Sequence, residues 1–171
     1  MRPVLLSVCV LTAACTGQVS DSPTAPASAV LAPAHAQRQG RVQLPFRGSL
    51  TTENITPPPN AAETAVGNAT HLGRFTAAIT AVVDLATSEA TGTITFTAAN
   101  GDRLFATFVG QGVFIPPNVA QLTEVATISG GTGRFEGATG TFTMLRVEII
   151  DFATGRAPGY GSFDGHIDLK D

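Results

Sequence analysis

Two ionisable side chains, His71 and Glu124, fall on the apolar faces of alternating strand-like segments. Their neighbours on those faces are Phe75, Ala77, Ile79, Leu122, Ala126 and Ile128. A buried imidazole facing a buried carboxyl could exchange protons with a ligand or hold its polar group. Alternatively, either group lies at the rim of the fold, hydrogen-bonded or hydrated. The pattern therefore predicts a candidate pocket, with His71 and Glu124 as polar groups and Phe75, Phe96 and Phe108 as apolar lining.

Two further sets of residues could bind ions. Asp164, His166 and Asp168 share one face of a C-terminal segment, but a single strand seldom arranges three ligands around one metal ion. A solvated face is favoured, and we predict no metal site. Arg134 could hold an anion beside glycine N–H groups, but the stretch lacks the lysine and the helix of a phosphate loop, which favours a structural arginine.

No serine-nucleophile elbow, zinc-protease motif or glycine-rich nucleotide fingerprint occurs in the sequence, and we predict no cofactor. The chain has 171 residues, of which 43% are hydrophobic and 13% charged, which suits one domain with its own core. Threonine, glycine, alanine and valine are abundant, whereas Lys170 is the sole lysine. This composition favours a β-rich domain.

The N-terminus has the layout of a bacterial export signal, in which Arg2 precedes an apolar run from Val4 to Ala14. Cys15 follows, so residues 1–14 are predicted to be a lipoprotein signal peptide and Cys15 the site of lipidation. The alternative is ordinary secretion, with cleavage after the Ala34-His35-Ala36 segment. Either route predicts an exported protein, periplasmic or in the cell envelope when lipidated, with membrane contact only through the lipid.

Residues 15–40 are rich in proline, alanine and serine without hydrophobic periodicity, which predicts a disordered tether before a domain at 41–171. Cleavage before Cys15 removes Arg2 and leaves 9 basic against 13 acidic side chains. Nucleic-acid binding would then lack its electrostatic driving force. The same cleavage removes Cys9 and makes Cys15 the lipidated terminus, so the folded domain has no thiol chemistry.

From residue 41 onward, short alternating segments separated by glycine, proline and asparagine predict an antiparallel β structure. The segments around Asn100-Gly101 also predict a register. A two-residue turn would mix polar and apolar faces, whereas a three-residue loop with Gly101 in the left-handed conformation opposes Ile94 to Ala106 and Phe96 to Leu104. We predict the three-residue loop with a glycine bulge.

The segment from Gly130 to Gly140 contains five glycines in eleven residues, which suits tight turns and bulges at the corner of a curled sheet. Together with its flanks, Ile128 to Phe142, it resembles the late hairpin of the allene oxide cyclase and dirigent barrels, which carry a similar Gly-Gly-Thr/Ser-Gly-x-Phe signature. The resemblance implies a single antiparallel eight-stranded β-barrel with a lumen for a small apolar molecule, often assembled as a trimer. Uncharacterised exported bacterial proteins look similar at His71 to Thr76 and Ala98 to Asp102.

Two functions follow from these observations. The first is an exported, non-catalytic barrel that binds a small hydrophobic ligand or acts as an envelope interaction module. The alternative is a cyclase or isomerase of an oxidised lipid that uses His71 and Glu124 in the lumen. No catalytic residue of the resembled families can be matched here. A lumen packed shut by Phe46, Phe96 and Phe108 would leave only a structural role.

Overall fold

The computed structural model describes residues 42–170, which form eight antiparallel strands closed into a barrel. Each strand pairs with the next in sequence, and the last pairs with the first. The strands are β1 (Val42–Thr56), β2 (Asn60–Ala69), β3 (Gly73–Asp84), β4 (Glu89–Ala98), β5 (Arg103–Ile115), β6 (Val119–Gly131), β7 (Thr139–Ile149) and β8 (Gly159–Leu169). The predicted all-β, eight-stranded antiparallel barrel is confirmed.

The predicted signal peptide, the lipidation site Cys15, the alternative cleavage site at Ala34-His35-Ala36 and the tether lie outside the described residues. Within residues 42–170, the helical structure is too short and insufficiently apolar to cross a membrane.

β2 is a strand that the sequence pattern did not single out. Its sequence, NAAETAVGNA, contains no large aromatic or branched residue on its inner face, so it lacks the usual strand signature. Closure of the barrel nevertheless requires it, because β2 pairs with β1 on one side and β3 on the other. Its inner face carries Glu63 and Ala65, both buried.

The loop between β4 and β5 has the predicted register. Ile94 opposes Ala106 and Phe96 opposes Leu104. Gly101 has a φ of 88°, and its N–H donates to the carbonyl of Ala98 at 2.9 Å. The three-residue loop is therefore confirmed, and the physical reason is that it keeps apolar side chains of both strands inside.

The glycine-rich segment forms a compact corner, as its spacing predicted. A 3₁₀ helix covers Gly133–Phe135, and four glycines there have positive φ values of 140°, 58°, 67° and 144°, at Gly130, Gly133, Gly137 and Gly140. The β5–β6 register shifts between Phe105 and Ala106, beside this corner. Phe135 is fully buried, so the corner folds an aromatic ring onto the core.

The two ends of the barrel differ. We call the end formed by the β2–β3, β4–β5 and β6–β7 connections the closed end, and the opposite end the open end. Five phenylalanine rings pack against one another inside, with the tightest pair, Phe46 and Phe163, at 4.9 Å between centroids. The cluster consists of Phe46, Phe75, Phe96, Phe142 and Phe163.

The barrel is narrow, so the large ring of Phe142 on β7 requires a small residue opposite it, and that residue is Gly165 of β8. A Cβ at Gly165 would lie 2.7 Å from the Cβ of Phe142 and 2.1 Å from the carbonyl oxygen of Thr141. Glycine at this position therefore lets β8 approach β7 beneath the aromatic ring. The result is a bore filled with rings toward its closed end, which leaves the open end as the place for any ligand.

Candidate functional site

A cavity of about 480 Å³ occupies the open end of the barrel. Residues from the β1–β2, β3–β4 and β7–β8 connections and from the adjoining ends of β5 and β6 surround its mouth, and inward-facing strand residues form its wall. The apolar part of the wall comes from Ala61, Ala81, Val83, Leu85, Ala90, Val113, Phe114, Ala120, Leu122, Ile150 and Phe152. The volume lies within the range of small-molecule sites in proteins.

The floor of the cavity is an ionic cluster, which consists of Arg146, Glu63, Glu124 and Glu148. Arg146 donates to Glu124 twice, from Nε to Oε2 at 2.9 Å and from Nη2 to Oε1 at 2.7 Å. Its Nη1 donates to Glu63 and, at 3.1 Å, to Oε1 of Glu148. Since Glu63 comes from β2, Glu124 from β6 and Arg146 from β7, the cluster ties the barrel together across its bore.

Every second residue of β7 faces the bore, so the strand runs from the packed rings to the cavity floor. Phe142 and Met144 face inward among the packed rings, and Arg146 and Glu148 follow on the same face, nearer the mouth. Opposite Arg146 lies Gly161 of β8, where a Cβ would stand 2.8 Å from Cγ of Arg146. The missing side chain gives the arginine stem its room.

Burial and charge act together on this cluster. Burial by itself lowers the pKa of Arg146, but the hydrogen bond and charge of Glu124, with the charges of Glu63 and Glu148, raise it above its ordinary value. Arg146 therefore stays cationic. Burial, with repulsion by Glu63, raises the pKa of Glu148 to about 7, although the charge of Arg146 opposes the shift.

This shift predicts that Glu148 makes stability depend on pH. The folded protein holds a proton on Glu148 that the unfolded chain releases from about pH 4.5 upward. The contribution of this proton to the free energy of unfolding is complete below pH 4.5 and is lost as the pH rises through 7. Its size is at most about 3 kcal/mol. Urea unfolding of the wild type and of Glu148→Gln between pH 5 and 8 should show the wild type losing stability relative to the variant.

Glu136→Gln provides the control, because Glu136 is exposed beside the closed end. Its stability difference from the wild type should stay flat over the same pH range. A flat difference for Glu148→Gln as well would contradict the proposed protonation.

One side of the mouth is fixed to β1. Nδ2 of Asn54 donates to the carbonyl of Gly155 at 2.9 Å, and the N–H of Ala157 donates to Oδ1 of Asn54 at 2.6 Å. Arg156 adds an ion pair with Glu53 at 2.5 Å. These contacts hold the β7–β8 loop, which carries Phe152, beside the cavity.

The structure does not bring His71 and Glu124 together. His71 lies in the β2–β3 turn at the closed end, with a φ of 63° and its Nε2 3.1 Å from the carbonyl oxygen of Pro45. Glu124 lies on the cavity floor. The predicted inner face of β3 included His71, but β3 begins only at Gly73. His71 belongs to the preceding turn and does not follow the alternation of the strand.

The predicted aromatic lining also lies elsewhere. Phe75 and Phe96 belong to the packed ring cluster, and Phe108 is buried on the inner face of β5 beside Gly92. None of these three rings is among the residues around the cavity, whereas Glu124 is. The prediction that these three rings face inward was correct. They lie among the packed side chains of the core, however, and not at the height of the cavity along the bore. Ligand binding by any of them stays a prediction.

Three members of the ionic cluster, Glu63, Arg146 and Glu148, were not identified from the sequence. Glu63 lies on the strand that the pattern missed. Residues 141–150 carry apolar side chains on both faces, with exposed Leu145 and Ile149 outside, so the inner face was not decided. Strict alternation from Phe142 would have placed Arg146 and Glu148 inside.

The remaining candidates have structural contacts. Asp164 forms an ion pair with Arg47 at 2.5 Å on the outer surface, next to β1. Arg134 donates to the carbonyl of Leu72 at 3.3 Å and lies 3.7 Å from Asp102, which agrees with the structural alternative. A shallow depression over Thr93, Thr107 and Thr127 on the outer face contains no ionisable side chain among its described residues.

No family model and no curated protein matches this chain. Among solved structures, it is similar to a pterocarpan synthase dirigent protein, with 13% identity and a TM-score of 0.47 over 78% of this chain and 93% of that chain. This similarity concerns the arrangement of strands and says nothing of ligand or activity. The barrel is established by its own closed strand pairing, and the allene oxide cyclase and bacterial parts of the resemblance stay predictions.

Proposed function

We propose that this barrel binds a small, largely apolar molecule in the cavity at its open end and does not transform it. One observation carries the proposal: the bore is filled by aromatic rings toward the closed end but leaves about 480 Å³ open above the ionic cluster. A purely structural barrel would gain stability by filling that space, since voids in a core are costly. The condition that would have excluded a ligand, complete closure by Phe46, Phe96 and Phe108, is not met.

The surroundings of the mouth support an apolar ligand. Large apolar side chains are exposed at the strand ends and connections there, namely Ile55 of β1, Phe114 and Ile115 of β5, Leu85 and Phe152. The ring of Phe114, at the end of β5, contacts the ring of Phe152 in the β7–β8 connection edge to face, with centroids 6.3 Å apart. Such a rim favours an apolar molecule, because contact with it removes apolar surface of both partners from water.

A cavity-filling substitution tests the proposal. Ala81 lies half-buried on the inner face of β3 and lines the cavity. Ala81→Phe should weaken binding of the neutral fluorescent probe N-phenyl-1-naphthylamine by at least about tenfold, because the new ring occupies the ligand's space. Fluorescence titration at fixed protein concentration measures the affinity.

Ala78→Phe is the matched control, because Ala78 lies on the outer face of the same strand. It should leave the affinity within about twofold of the wild type. Equal loss in both variants would point to a disturbed β3, and no binding by the wild type would leave the envelope interaction module as the remaining function.

A second candidate, an isomerase or cyclase acting on an oxidised lipid, is favoured by a different observation. Glu148 faces the cavity, and its pKa of about 7 suits a group that gives and takes a proton at neutral pH. This role would replace the one predicted for His71. The test is to incubate the protein with an unsaturated fatty-acid epoxide and analyse what is recovered. A rearranged product would indicate catalysis, whereas unchanged epoxide would indicate binding alone.

Three further predictions complete the proposal. The protein is exported, is anchored through a lipid on Cys15 and assembles as a homo-oligomer, with a trimer implied by the family resemblance. Exposed apolar side chains on the outer faces of β6, β7 and β8, at Val125, Leu145 and Tyr160, support an assembly surface. Labelled palmitate incorporation tests the anchor.

A further inference from the structure

The ionic cluster at the cavity floor contains more carboxyl groups than cations. Glu63, Glu124 and Glu148 surround Arg146, and only Glu124 receives two hydrogen bonds from it. The guanidinium reaches Oε2 of Glu63 and Oε1 of Glu148, which leaves the other oxygen of each carboxyl without a bond from it. Both residues line the cavity. The floor therefore offers acceptors and an uncompensated negative charge to whatever enters.

An independent feature beside the cluster is a hydroxyl without a partner. Oγ1 of Thr52 is buried on the inner face of β1 and has no hydrogen-bond partner within the described residues 42–170. It adjoins Glu148, because a Cβ built on Gly159 would lie 2.5 Å from Oγ1 of Thr52 and 2.9 Å from Cγ of Glu148. Thr52 itself is not among the residues around the cavity, so the acceptors that a ligand in the cavity can reach are the carboxyl oxygens of Glu63 and Glu148.

The walls above this floor are apolar, with Ala81, Val83 and Leu122 among them. We propose that the cavity selects a small organic ammonium ion, whose apolar body packs against these walls and whose N–H groups bind the oxygens of Glu63 and Glu148 that Arg146 leaves free. The inference rests on the proposed function, since it names the class of molecule that the same cavity takes. An ammonium ion supplies the missing positive charge and several donors at once.

The proton on Glu148 makes this selection depend on pH. The charged groups that face Glu148 are Glu63 from β2, Glu124 from β6 and Arg146 from β7, whereas β1 and β8 bring Thr52 and Gly159 to it. Because burial and Glu63 raise the pKa of Glu148 to about 7, an arriving cation would release that proton. Affinity for the ammonium ion should therefore rise between pH 6 and pH 8.

Three probes of one shape separate the alternatives: 4-phenylbutylamine, 4-phenylbutan-1-ol and 4-phenylbutanoate, measured by isothermal titration calorimetry at pH 7.5. The amine should bind about tenfold more tightly than the alcohol, and the carboxylate more weakly than both. Repeating the amine titration at pH 6.5, where Glu148 still carries most of its proton, in buffers of different ionisation enthalpy should reveal proton release. Glu148→Gln should reduce the ratio of amine to alcohol affinity about tenfold and abolish that release, and Glu136→Gln should change neither.

The outcomes are distinct. Equal affinities for amine and alcohol would overturn the cation preference while leaving the apolar site intact. Tightest binding of the carboxylate would also overturn it, because Arg146 would then be the recognition group. Binding of none of the three would remove the proposed function together with the inference. Circular dichroism of each variant, compared with the wild type, establishes that the measured protein is folded.

Discussion

Replacement of Arg146 by methionine is expected to lower the free energy of unfolding by about 3 to 5 kcal/mol, because it leaves buried carboxyl groups without their cation. Arg146 is 4% exposed and forms hydrogen bonds with Glu63, Glu124 and Glu148. The loss is a large part of the stability of an ordinary domain. Urea unfolding monitored by circular dichroism at pH 7.5 measures it.

The matched control is Arg47→Met, which removes an ion pair with Asp164 whose side chains are 66% and 69% exposed. We expect it to cost no more than about 1 kcal/mol. If Arg146→Met proves too unstable to purify, the triple variant that adds Glu63→Gln and Glu124→Gln should restore folding, since it removes the stranded charges. A cost below about 1 kcal/mol for Arg146→Met would contradict the role of the cluster.

Replacement of Phe96 by alanine should cost about 3 to 5 kcal/mol, because it opens a cavity at the centre of the ring cluster. The Phe96 ring contacts four others, with centroid distances of 5.2 Å to Phe75, 5.9 Å to Phe163, 6.0 Å to Phe142 and 6.2 Å to Phe46. It is fully buried. Thermal and urea unfolding should both record the loss.

Thr91→Ala on the exposed face of the same strand is the comparison for this variant. Its effect should stay within about 0.5 kcal/mol of the wild type. Because Phe96 does not line the open-end cavity, its truncation should also leave the affinity of the folded protein for N-phenyl-1-naphthylamine close to the wild-type value. A loss of stability smaller than about 1 kcal/mol would mean that the neighbouring rings close the gap.

Much of the barrel could be predicted from local patterns. The inward faces of β1, β3 and β4 follow from alternation, and the three-residue loop at Gly101 follows from the need to keep Phe96 and Leu104 on one face. The glycine spacing between Gly130 and Gly140 predicted a tight corner for the same local reason, since it concerns backbone conformation. β2 escaped prediction because its inner residues are small or charged.

The candidate site could be predicted only in part. Alternation placed Glu124 inside, but it did not find Arg146, whose strand carries apolar residues on both faces. It also placed His71 beside Glu124, although β3 begins only at Gly73 and the histidine belongs to the preceding turn. The missing information was the position of each residue along the bore.

The sequence by itself determined an antiparallel β domain, the faces of most of its strands and the conformation of two turns, because these depend on residues close together in the chain. The tertiary structure alone decided that Glu63 and Arg146, 83 positions apart, meet inside the barrel and that the rings pack toward one end while a cavity remains at the other. The physical reason is strand stagger: closing eight strands into a cylinder fixes the height of every inward side chain, and that height depends on pairings between distant segments.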